Sequence, residues 1–133
     1  MKAIILNQYG GPEVLEWQDI AKPLPRADEV LIKTTAIGIN YASVLIRQGK
    51  YRSFYPLPAQ LPAEVEGVIE AVGTGVKDLT VGQRVTGIAS NGYAAFVAIN
   101  AKDVFSIPPD LPATHGLLSQ GLTAQYLLQQ AKD

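Results

Sequence analysis

The chain has no cysteine, a single histidine (His115), one methionine and one tryptophan among 133 residues. Without cysteine there is no disulfide framework and no thiolate zinc site, and one histidine cannot build a histidine-rich metal centre. Charge is also scarce. Eleven basic and 12 acidic residues give a net charge of -1, with no block of either sign. Phosphate binding needs a concentrated basic patch, so nucleic acid is excluded as a main partner. No apolar run approaches the roughly 20 residues of a membrane helix. The run Ala3-Ile-Ile-Leu6 gives way to Asn7 and Gln8, too short for a signal-peptide core. The expectation is a soluble, cytoplasmic chain with no membrane partner.

What is present reads as one domain. An apolar fraction of 47% is ordinary for a globular protein, and the length suffices for a substantial core. Short β-prone runs alternate with glycine- and proline-rich turns. Lys2 to Leu6, Glu13 to Trp17, Glu29 to Ile39, Val65 to Val72, Gln83 to Ile88 and Tyr93 to Ile99 are the strand candidates. Gly38 in the longest run predicts a bulge or a close backbone approach. Three prolines make the segment from Tyr51 to Ala63 an irregular surface loop. Asn40 is placed to cap a short helix over Tyr41 to Arg47, with Gly49 just past its end. After Pro108-Pro109 the composition turns to Leu, Ala and Gln. Residues 1–110 therefore form a β-rich core and 111–133 a helical segment in two pieces broken near Gly121, the second from about Thr123 to Lys132. On it Leu122, Tyr126, Leu127 and Leu128 share an apolar face. The pattern as a whole is mainly β with peripheral helices, in a barrel-like arrangement.

Several motifs invite a chemical reading. Gly73-Thr-Gly-Val-Lys-Asp78 follows a strand and begins like a dinucleotide fingerprint, whose glycines admit a pyrophosphate at a helix N-terminus. Here Asp78 puts a negative charge where phosphates would sit, and Leu79-Thr-Val-Gly82 turns again without opening a helix. The segment reads as a structural turn. The stretch from Ala36 to Tyr51 gathers Asn40, Tyr41, Ser43 and Tyr51 about one short helix, where a small molecule could be held. Asn40 reads first as a helix cap, with an amide offered to a ligand as its functional alternative. Tyr41 and Tyr51 read as packing residues or as phenols beside a pocket. Arg47 reads as a surface or ion-pairing residue. Glu64 and Glu66, two apart on a strand, share a face and could form an acid–base pair, or one could pair with a Lys or Arg. His115 reads as structural.

Taken in order, Gly10-Gly-Pro-Glu-Val-Leu15, Glu29-Val-Leu-Ile-Lys33, Ala36-Ile-Gly-Ile-Asn40, Arg47-Gln-Gly-Lys-Tyr51, Glu64 to Gly67, Glu70-Ala-Val-Gly-Thr-Gly-Val76, Gly82-Gln-Arg-Val85, Gly92-Tyr-Ala94 and Gly121-Leu-Thr-Ala124 resemble the N-terminal part of the zinc-free, zeta-crystallin-like quinone oxidoreductases. These belong to the medium-chain dehydrogenase/reductase superfamily. The resemblance implies a GroES-like, partly open β-barrel that serves as catalytic domain in a two-domain reductase. It implies hydride transfer from NADPH to a quinone or conjugated carbonyl, the cofactor carrying the chemistry. By the same resemblance Asn40 and Tyr51 are catalytic. Asn40, Tyr41, Ser43, Leu45 and Thr123 face the cofactor, Thr123 at the opening of a helix leading toward the cofactor domain. Zinc-dependent relatives carry a cysteine near Asn40 and a histidine near Ala63, both absent here, so no metal is expected. Ser43 stands where many members have aspartate, Leu45 where some have tyrosine, and Ala63 where glycine is common. The resemblance would continue into a Rossmann domain, and the chain stops at Asp133 before it. The isolated chain is accordingly expected to be inactive, with its helix face open to a partner or homodimer. The alternatives are a non-enzymatic GroES-like binding module and a portion of an enoyl-thioester reductase.

Overall fold

The structure, a computed structural model, describes residues 1–112 and 117–131. Eight strands and two helices follow in the order β1 (Lys2–Leu6), β2 (Glu16–Asp19), β3 (Glu29–Gly38), α1 (Tyr41–Arg47), β4 (Ala59–Gln60), β5 (Ala63–Val72), β6 (Arg84–Ala89), β7 (Phe96–Asn100), β8 (Val104–Ser106) and α2 (Leu117–Gln130). The strands form an antiparallel sheet in the order β2-β1-β4 and a larger one in the order β7-β3-β5-β6-β8. Backbone bonds from Ile4 N to Tyr93 O (2.8 Å) and from Ala95 N to Lys2 O (2.9 Å) stitch the two together. The result is a curled, partly open barrel, mainly β with helices at its periphery.

β-branched residues supply the interior, as a pleated surface favours. Val30 and Ile32 of β3, Val65 and Ile69 of β5, Val85 of β6 and Val97 of β7 are all buried in one cluster. A second, smaller cluster joins Leu6, Val14, Ile46, Ala59 and Leu61, with Tyr9 and Tyr55 packed against it. Ile46 belongs to α1, so this cluster seats the short helix against the barrel.

Several sequence expectations are corrected. Pro12–Val14 forms a 3-10 turn with proline at its start, where fixed φ and a missing N–H cost nothing; the following strand begins only at Glu16. The proline-rich loop contributes β4, whose Ala59 and Gln60 pair with Leu6 and Ile5. Gly38 sits in register opposite Glu64, and the irregularities of β3 fall at Leu31/Ile32 and Thr34/Ala36. A close backbone approach occurs at Gly67, where a Cβ would run into the Lys33 carbonyl oxygen of the neighbouring strand. The helical segment is one helix, continuous through Gly121. Glycine costs about 1 kcal/mol in a helix interior, which the surrounding Leu, Gln and Ala residues outweigh. Thr123 therefore lies inside α2, not at its opening. His115 lies outside the described residues.

Candidate functional site

α1 is held at both ends and along one face. Asn40 is extended (φ -128°, ψ 168°) and its Oδ1 accepts from Ser43 N at 3.3 Å, satisfying one of the orphan donors of a first helical turn. At the other end Gly49 takes φ 77°. Its N donates to Ile46 O and Lys50 N donates to Leu45 O, each at 2.9 Å, the Schellman closure that a left-handed glycine permits. Ser43 and Arg47, one turn apart, both face inward and are buried. The Ser43 hydroxyl donates to Pro62 O at 3.3 Å. Arg47 Nη1 donates to Gly10 O at 2.6 Å, and Gly10 N donates back to Arg47 O at 3.0 Å. Arg47 is thus a buried tether and not a surface residue. Its partner lies 37 residues away, beyond what a local pattern can reveal.

The N-terminal end of α1 faces α2 across a groove of about 520 Å3, with Asn40, Tyr41 and Ala42 on one wall and Ser119, Gln120, Thr123, Ala124 and Leu127 on the other. A smaller pocket of about 120 Å3 shares Asn40, Ala42 and Ser119 with it and extends inward between Ile46, Tyr55, Pro62, Ala63, Glu64 and Ile88. Of the residues expected at a site, Asn40, Tyr41 and Thr123 meet here. The Thr123 hydroxyl bonds its own helix, donating to Ser119 O at 2.8 Å. Ser43 is committed to Pro62 beneath the groove. Leu45 is half-buried and Tyr51 exposed, and neither lines the groove or the pocket. Tyr41 lines the groove, and the tyrosine of the smaller pocket is Tyr55, whose carbonyl accepts from the Tyr9 hydroxyl at 2.7 Å. Tyr51 and Tyr55 look equivalent in sequence, and that contact comes from 46 residues away.

Glu64 and Glu66 do share a face of β5, as the period of 2 requires, and both are buried. They are not an acid–base pair. Glu66 receives Arg84 Nε at 2.9 Å and Nη2 at 2.7 Å. Glu64 accepts from Leu118 N at 2.8 Å and Ser119 N at 2.9 Å, capping α2. Arg84 Nη1 also donates to Leu111 O at 2.6 Å, so both carboxylates act on the approach to that helix. Beyond its first turns α2 is exposed: Leu122 is 52% accessible, and Tyr126, Leu127 and Leu128 more so. Among the described residues no group of three or more metal-ligating side chains occurs, and no helix is long and apolar enough to cross a membrane.

The cap gives a direct expectation. Asn40→Ala should cost about 1 kcal/mol, read as a lowered urea midpoint with unchanged m-value. Asn40→Asp keeps the capping oxygen and should restore most of the loss. Equal destabilisation by both would refute the cap.

A curled barrel with a short capped helix and a trailing helix at its open side is the architecture of a dehydrogenase GroES-like domain. The family model "Alcohol dehydrogenase GroES-like domain" matches residues 26–133, and the chain belongs to that family. Its similarity runs to the quinone oxidoreductases of the medium-chain dehydrogenase/reductase superfamily. Quinone oxidoreductase of Lama guanicoe is 40% identical over 119 residues, which is 87% of this chain and 36% of that protein. A 2-haloacrylate reductase of a Burkholderia species is 34% identical over 139 aligned positions, 96% of this chain and 41% of its own length. The crystal structure of Escherichia coli quinone oxidoreductase complexed with NADPH superposes with a TM-score of 0.87 at 31% identity, covering 98% of this chain and 41% of that one. The chain spans about two fifths of the length of the relatives it matches.

Proposed function

We propose that these residues form the acceptor-side half of a zinc-independent, NADPH-dependent reductase acting on quinones or conjugated carbonyl compounds. The observation that carries the reading is the groove between the N-terminal end of α1 and α2, in a chain similar to an enzyme crystallised with NADPH. The groove fits the nicotinamide end of such a cofactor. Asn40 offers an amide whose nitrogen has no partner among the described residues. Tyr41, Ala42, Ala124 and Leu127 supply apolar walls for a flat ring. When bound there, the dihydronicotinamide would supply the hydride. Asn40 would orient the carboxamide, Tyr41 and Leu127 would exclude water, and Tyr55 with Ile88 would shape the small pocket for the acceptor. Ser43 supports α1 from beneath through its bond to Pro62.

Among the described residues no basic side chain lines the groove, and the Gly73-Thr-Gly75 turn is folded against the backbone of residues 26–29. The phosphates would then take contacts beyond those that the groove and this turn offer. NADPH oxidation, followed at its absorbance band, is expected to be negligible with the 133-residue chain. A longer protein carrying the same residues should turn over with a benzoquinone or an enone. Brisk turnover by a verified 133-residue chain would refute the need for those further contacts. Inactivity of the longer form toward both acceptors would refute the reductase reading. Similarity to a 2-haloacrylate reductase makes an activated alkene the second acceptor to try.

A further inference from the structure

We infer that Glu64 is the positioning residue of the groove: its backbone stands where the first wall is tied, and its carboxylate holds the second wall to the same place. Glu64 stands on β5 in register with Gly38 on one side and Ile88 on the other, so its backbone is fixed by two neighbouring strands. Gly38 is two residues ahead of Asn40, the cap of α1, and Pro62 beside this strand accepts the Ser43 hydroxyl from beneath α1. The first wall is thus tied to the start of β5. The second wall is tied to the same place through the carboxylate. Its two oxygens take the amides of Leu118 and Ser119, at 2.8 and 2.9 Å.

These amides belong to the first turn of α2, where N–H groups have no partner within the helix. A buried carboxylate, 54 residues distant from Leu118, caps two of these amides and meets the positive end of the helix dipole. From Gln120 onward α2 is exposed, so burial of its own side chains does little to aim it. Aim comes from its first turn. This role rests on the groove being the cofactor site only for its consequence in binding; the geometry stands apart from that.

The chain lacks cysteine, so Gln48→Cys and Gln125→Cys provide one exposed nitroxide site on each helix. The spin–spin distance distribution between them should be narrow in the otherwise unaltered chain and about twofold broader with Glu64→Gln added. Glu70→Gln, an exposed change on the same strand, should leave it narrow. A merely stabilising glutamate would lower the melting temperature without broadening the distribution, and an unbroadened distribution overturns the proposal. Should Glu64→Gln fail to fold, hydrogen exchange in the unaltered chain decides. Leu118 and Ser119 amides should exchange about tenfold or more below unstructured rates; free exchange at both overturns the clamp. In the longer, NADPH-binding form, Glu64→Gln should weaken NADPH binding about tenfold while an exposed Glu70→Gln does not. A broadened distribution with unaltered NADPH affinity would sink the groove as cofactor site and leave the clamp standing.

Discussion

Gly73→Ala is expected to cost about 3 kcal/mol or more, enough to leave much of the protein unfolded at modest urea concentrations. A Cβ at this position would run into the carbonyl oxygen of Arg26 and lie 2.5 Å from that of Ala27. Both are backbone atoms, so no rotamer change relieves the collision. The surroundings are also committed: Gly73 N donates to Glu29 O and Gly75 N to Ala27 O, each at 2.8 Å, and Val76 N closes back onto Gly73 O at 3.0 Å. Moving the strand away would break these bonds and disturb Val30 and Val72, which pair at the adjoining end of β3 and β5. Gly75 makes the internal control. Its Cβ would meet Ala27 O at 3.0 Å, a contact that a small shift accommodates, so Gly75→Ala should cost about 1 kcal/mol or less. Urea denaturation of the two variants beside the parent decides the matter. A Gly73→Ala midpoint within error of the parent would show that the turn gives way easily. The large effect, if found, also assigns the glycines: they admit the protein's own backbone, and not a pyrophosphate.

That turn illustrates which features are legible in sequence. Asp78 and the second turn at Gly82 were enough to reject a dinucleotide loop, because the rejection needed only local chemistry. The same holds for α1, where a capping Asn40 and a closing Gly49 bracket Tyr41 to Arg47 without help from elsewhere. β3 and β5 were also readable, being long runs of β-branched and apolar residues between turns. What was not legible depends on distant partners. Arg47 looks like a surface cation until Gly10 O is brought to it. Glu64 looks like a candidate acid until the first turn of α2 arrives at its carboxylate. Tyr55 lines the small pocket, and its carbonyl takes a bond from Tyr9, a partner no local pattern announces. Gly121 looks like a helix break because its propensity is poor, yet continuity depends on the sum over the whole segment. The local register of secondary structure was therefore visible, while the inward-facing polar contacts that build the site were not.

The second large effect lies in one of those contacts. Arg84→Met should destabilise the domain by about 3 kcal/mol, because it removes the guanidinium from a carboxylate that is buried. Glu66 is 6% accessible at its side chain and Arg84 29%, so the two single changes are unequal. Removing the more exposed arginine takes the guanidinium fork from a buried carboxylate, whereas Glu66→Gln leaves a neutral oxygen that still accepts from Arg84. The glutamine variant should cost about 1 kcal/mol. Combining the two should give a protein more stable than Arg84→Met alone, since an amide beside a methionine has no carboxylate charge deprived of its guanidinium. Arg84→Lys falls between: it keeps the charge but not the fork that reaches Glu66 through Nε and Nη2 and the Leu111 carbonyl through Nη1. A double-mutant cycle from urea midpoints reads the coupling directly. If the costs of Arg84→Met and Glu66→Gln simply add, the charge-pairing account is wrong, and the arginine acts through its bond to Leu111 instead. That alternative has its own signature, because loss of the Leu111 tether loosens the approach to α2. The nitroxide distance between α1 and α2 would then broaden in Arg84→Met and stay narrow in Glu66→Gln.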